Sequence, residues 1–190
     1  MGALARIGRL LFRPQEEWDR IAREPIGVNT LITRYIVPFS LLAPIADVVG
    51  MSTFDRDWDP GAGYLVPADR IYAAGATTLF GTIGSIFVLA AIFRIIAPMY
   101  DSSRDYVAAL KVATFGALPV MLAGATLLLP VMVSVSAIAF VYSLYLYWLG
   151  VGRVLNVAAG SQSEFIGISL TLLGGVSTLL GACASSVGFF

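Results

Sequence analysis

Apolar residues run along this chain in long blocks, and the charges that separate the blocks fall at intervals that a lipid bilayer would set. A hydrocarbon layer about 30 Å thick takes roughly 20 apolar residues of helix, so windows free of charge count crossings. Ile71 to Phe93 is one such window, 23 residues between Arg70 and Arg94. Val112 to Gly152 is another, 41 residues long, which is too long for one helix and suits two joined by a tight turn at Pro130. Phe165 to Phe190 supplies 26 more uncharged residues. The first block is weaker, because Tyr35 to Ala46 gives only 12 residues before Asp47; taking Asp47 inside the segment makes it long enough. The pattern predicts an all-α integral membrane protein with five transmembrane helices, near residues 31–54, 71–97, 107–129, 131–152 and 165–188. Residues 31–190 then form the membrane domain.

Residues 1–30 are a different kind of segment. Leu4, Ile7 and Leu11 recur at helical spacing beside Arg6, Arg9 and Arg13, which predicts an amphipathic helix on an anionic leaflet. The same arginines interrupt any stretch that would serve as a cleavable leader. A second short helix starts at Pro14, has Glu16 and Glu17 in its first turn, and stops at Pro25. On its face, Trp18 and Ile21 are expected to insert among lipid headgroups, where an indole is favoured, so Pro14, Trp18 and Ile21 mark the expected cytoplasmic interface.

Charge then orients the chain. Arg6, Arg9, Arg13, Arg20, Arg23, Arg34, Arg94, Arg104, Lys111 and Arg153 fall on one side of the five crossings, and only Arg56 and Arg70 on the other. Short cytoplasmic loops are enriched in Lys and Arg, so the expected arrangement is a cytoplasmic N-terminus and an external C-terminus, most naturally in a bacterial cytoplasmic membrane. Mean hydropathy is +0.84. Charged residues make up 13% of the chain and formal charge is zero, which gives nucleic acid no basic surface to bind. With no histidine and a single cysteine, Cys183, no metal, cofactor or intrachain disulfide is expected. No nucleophile has a base partner in sequence context and no phosphate loop is present, so catalysis is not expected.

Three features stand out inside and between the crossings. Gly167, Thr171, Gly174, Thr178, Gly181, Ser185 and Gly188 repeat at steps of four and three along the last span, a small-residue face of the kind that lets membrane helices pack closely. Packing against another span, or association between chains, is the expected use, and a bulky replacement such as Gly174→Leu is expected to disrupt it. Asp47 is an ionisable group within a span, where such residues often mark an ion or proton site; the simpler alternative is a carboxylate reaching outward toward Arg70. Asp55, Asp57 and Asp59 alternate in the outer loop like the start of a calcium loop. Pro60 and Val66 then stand where such a loop needs glycine and glutamate, so at most a weak cation site is expected there. Tyr142, Tyr145, Tyr147 and Trp148, followed by Arg153, have the composition of an aromatic belt.

Four segments resemble a known family. Pro14-Gln15-Glu16-Glu17-Trp18-Asp19-Arg20-Ile21 is similar to the Pro-x-x-x-Trp-x-x-Ile start of bacterial members of the Yip family, the Ypt/Rab-interacting membrane proteins. Leu42-Ala43-Pro44-Ile45-Ala46, Phe115-Gly116-Ala117-Leu118-Pro119-Val120-Met121-Leu122-Ala123-Gly124 and Tyr142-Ser143-Leu144-Tyr145-Leu146-Tyr147-Trp148-Leu149-Gly150 resemble its first, third and fourth spans. The resemblance implies a compact five-helix domain with a cytoplasmic N-terminus. Eukaryotic relatives work in early secretory membrane traffic and engage Rab-type GTPases through a longer cytoplasmic segment, whereas for a prokaryotic relative the resemblance implies membrane residence and no settled activity. Here that segment is only about 30 residues, a departure that argues against a Rab-type GTPase as partner. The expected function is a non-enzymatic scaffold or adaptor working with the bilayer and with other membrane proteins or copies of itself; the alternative is a small transporter or channel using Asp47 and the polar face of the fifth span.

Overall fold

The computed structural model describes residues 2–53, 68–128 and 133–186, and among these the chain is helical with no strand. Two short helices, α1 (Ala3–Phe12) and α2 (Pro14–Arg23), precede five helices long and apolar enough to cross a membrane: Val28–Gly50, Ile71–Tyr100, Tyr106–Thr126, Ser134–Val154 and Gln162–Ala182. They are called the first to fifth spans below. Asp55, Asp57 and Asp59, the Pro130 turn and Gly188 lie outside the described residues.

Local chemistry sets the element ends. Arg13 alone separates α1 from α2, with φ −138° and ψ 60°, because a residue before proline is driven out of the helical region. The chain therefore turns a sharp corner there. The same effect ends α2, where Glu24 before Pro25 is extended at φ −80° and ψ 128°. Asp105 starts the third span by accepting from the amides of Val107 at 3.0 Å and Ala108 at 3.2 Å, a standard N-cap.

The first span is not a continuous α-helix. Ile32–Ile36 is π-helical, Leu41 forms a turn, and Leu42 resumes the α-helix. Pro38 and Pro44 account for the interruption: neither has an amide hydrogen to return to the carbonyl four residues back.

The third span is the axis of the bundle. Of its most apolar stretch 78% is buried, against 17% for the fifth. The reason is lateral cover from the first, second and fourth spans, which all pack on the third. Gly116 makes the closest approach possible: a β-carbon there would overlap the ring of Tyr147 on the fourth span, whose hydroxyl donates to the Ala113 carbonyl at 3.4 Å. The fifth span attaches chiefly near its start. Phe165 packs against Phe93 at 5.4 Å and Tyr100 at 5.3 Å, and Phe93 in turn meets Tyr147 at 6.2 Å. Farther along, it parts from the second span and leaves an open groove of about 700 Å³ between Ala73–Val88 and Val176–Gly181.

Candidate functional site

The chemistry-bearing residues gather where α1 and α2 meet the bundle. The α1–α2 corner folds the two helices onto one another and onto the third and fourth spans, so α2's apolar face is spent on protein. Trp18 and Ile21 are wholly buried. The Trp18 indole lies 6.3 Å from the Phe115 ring, edge-on at 88°, and fills the space left by the missing side chain of Gly150, where a β-carbon would stand 2.6 Å from the indole. The expectation that Trp18 and Ile21 lie among lipid headgroups is therefore corrected: their partners are the third and fourth spans. Pro14 is half-buried at the first turn of α2.

Around this apolar plug sits a cluster of ion pairs. Glu17, only 1% exposed, faces three guanidinium groups: Arg6 and Arg9 at 3.1 Å and Arg20 at 3.2 Å. Arg6, 4% exposed, also pairs with Glu24, and its guanidinium carbon stands 5.8 Å over the Phe115 ring. Buried charges persist only when paired in this way, since an isolated one costs several kcal/mol to strip of water. Lys111, on the third span, donates to the Glu24 carbonyl at 2.7 Å and the Ile21 carbonyl at 3.4 Å, and so satisfies carbonyls at the α2 C-terminus where a cation is also favoured by the helix dipole. Tyr142 on the fourth span does the same for α1, donating to the Leu11 carbonyl at 2.7 Å. Arg153, at the end of the fourth span, closes on Asp19 at 2.8 Å. Outside this lock, Arg6, Glu16, Arg20, Arg23 and Glu24 line an open cleft of about 560 Å³.

The aromatic belt is divided by this arrangement. Tyr145 and Trp148 face outward, at 39% and 41% exposure, whereas Tyr147 is buried and Tyr142 is held on α1. Asp47 is half-buried and accepts a hydrogen bond from the Thr78 hydroxyl at 2.9 Å, a link between the first and second spans.

The fifth-span face lies open. Gly167, Thr171, Gly174, Thr178 and Gly181 are exposed, and a β-carbon at Gly167, Gly174 or Gly181 would meet nothing within 4 Å. Close packing of these residues on another span of the same chain is thus not what the described residues form. Thr171 and Thr178 return their hydroxyls to the Gly167 and Gly174 carbonyls at 2.8 and 2.9 Å. Ser185 stands within the same helix.

Sequence reasoning missed Glu17 and Glu24 as partners of Arg6, and Lys111 as the donor to the carbonyls at the end of α2. A usable signal was present: a lysine five residues inside an apolar span, and opposite charges on two helices joined by one residue.

Among the described residues no group of acids, cysteines or histidines is placed to hold a metal. No curated protein and no solved structure matches the chain. A family model described as the Yip1 domain matches residues 8–181, a stretch that takes in the second half of α1, all of α2 and the five spans as far as Gly181, and the chain therefore belongs to the Yip family of integral membrane proteins.

Proposed function

We propose that this protein is a non-enzymatic membrane scaffold or adaptor of the bacterial cytoplasmic membrane, with its N-terminus in the cytoplasm. The observation that carries this is the locked cap. Helices α1 and α2 are fastened by ion pairs, carbonyl contacts and a buried tryptophan, so their outer charges, Glu16, Arg20 and Arg23, are held in fixed positions beside an open cleft. A preset surface of mixed charge suits recruitment of a protein partner at low ordering cost.

The fifth-span face supports a second contact within the bilayer. Small residues that meet nothing in their own chain allow another helix backbone to approach closely, which favours association of copies or of other membrane proteins. The transporter alternative needs Asp47 and that face on one path. Asp47 is engaged with Thr78 between the first and second spans, and Gly167, Thr171, Gly174 and Thr178 on the fifth span are exposed.

Crosslinking in native membranes tests the proposal. Photoreactive groups at Glu16 or Arg23, and at Gly174, should each yield discrete adducts with a protein partner or a second copy. Recovery of the lone chain from both positions overturns it.

A further inference from the structure

Independently of the cap, a cavity of about 340 Å³ lies inside the bundle and is lined by all five spans, among them by Ser40, Thr82, Val120, Ser143 and Leu170. None of the lining residues carries a charge. Val120 and Phe140, 41% and 53% exposed, also line it and form a rim on the flank of the bundle, within spans three and four. Entry is therefore from the hydrocarbon layer rather than from the cap.

Two of its hydroxyls are idle. Ser40 and Ser143 are 1% and 2% exposed, and neither oxygen has a hydrogen-bond partner. That is unusual for serine in a membrane helix, which ordinarily returns its proton to a carbonyl one turn back, as Thr82 does here to Thr78 at 2.7 Å. A buried unpaired hydroxyl forfeits the hydrogen bonds it would make in water, and two such groups, on the first and fourth spans, line one cavity. At Ser40 the neighbouring backbone adds to the polarity, because Pro44 has no amide hydrogen to offer the Ser40 carbonyl.

We infer that this cavity binds a small neutral amphiphile from the membrane: a mostly apolar molecule with one alcohol or carbonyl oxygen that pairs with Ser40 and Ser143. The uncharged walls give an ion or a phosphate headgroup no counter-charge. The volume is at the lower end for small-molecule sites and has no room for a two-chain phospholipid. Apolar walls with a few placed hydroxyls are the usual composition of such a site.

An octanol carrying a diazirine on its chain is the probe, with the intact protein in phosphatidylcholine nanodiscs and adducts mapped by mass spectrometry. Adducts are expected on peptides containing Ser40, Phe140 or Leu170, and they should saturate. At matched membrane mole fraction, 1-octanol should compete at about fivefold lower concentration than n-octane, the worth of one hydrogen bond. The double variant Ser40→Ala, Ser143→Ala should lose that preference, and Ser143→Leu should lose the labelling by filling the space. Unsaturable labelling, equal competition by octane and octanol in the parent, or an unchanged preference in the double variant overturns the inference. The competition in the parent decides by itself if a variant fails to fold.

Discussion

Trp18 occupies the volume that Gly150 leaves empty, and this contact, beside the Arg153–Asp19 pair, joins a helix outside the membrane domain to the fourth span. Nothing smaller than an indole would fill that space, and nothing larger than glycine would leave it. Gly150→Ala should therefore destabilise the protein by about 1–3 kcal/mol, the cost of overpacking a filled core, and Trp18→Ala by about 3–5 kcal/mol through the cavity it opens. Both should loosen α1 and α2 before the bundle. Limited trypsin digestion in mild detergent reads this directly, since the bonds after Arg6, Arg9 and Arg20 lie within helices α1 and α2 and should be cut faster once the cap lifts; digestion at the parental rate in both variants would refute the plug.

The Glu17 carboxylate predicts a different signature. With three guanidinium groups on one nearly inaccessible acid, Glu17→Ala leaves the buried Arg6 with Glu24 as its remaining counter-charge and takes the acid away from Arg9 and Arg20, and should cost about 3–5 kcal/mol. Replacing both members, Arg6→Met with Glu17→Leu, should restore much of that loss, because apolar residues of similar volume need no counter-charge. Thermal unfolding of the two single variants and the double variant measures the coupling. Additive losses would mean that the pair does not act as a pair.

Why the bundle was legible in the sequence and the cap was not follows from what each depends on. A crossing is set by local composition: Ile71–Phe93 has no charge anywhere, and no distant residue can change what that implies. The cap rests on distant partners. Lys111 reaches the Ile21 carbonyl across 90 residues, and Tyr142 reaches Leu11 across 131. An amphipathic helix with one tryptophan face reads the same whether lipid or protein covers it, so the pattern places Trp18 among headgroups although its cover is Phe115 and Gly150. Asp47 was recognised as an intramembrane acid from its position, but Thr78 as its partner, 31 residues away on another span, left no local trace.

The open fifth-span face separates stability from assembly. Gly174→Leu adds a side chain where nothing lies within 4 Å, so the thermal midpoint of the detergent-solubilised chain should stay within the range of surface changes, about 0.5 kcal/mol. Crosslinked species in membranes should fall several-fold, because a leucine holds a second helix away from the backbone. A large fall in midpoint with unchanged crosslinking would place the face against its own bundle.

Asp47 is half-buried and bound by the Thr78 hydroxyl at 2.9 Å. Asparagine keeps an acceptor oxygen at the same place, so Asp47→Asn preserves the link between the first two spans and should change stability by less than about 1 kcal/mol. Thr78→Val keeps the shape and removes the donor; it leaves the carboxylate short of a partner and should cost about 1–2 kcal/mol. An ion or proton site would invert that order, since its charge is then the indispensable feature and Asp47→Asn would abolish flux while Thr78→Val merely weakened it. Unfolding and proton flux in proteoliposomes, measured on both variants, therefore distinguish a strut from a site: the strut requires Thr78→Val to be the more damaging to stability and neither variant to alter flux.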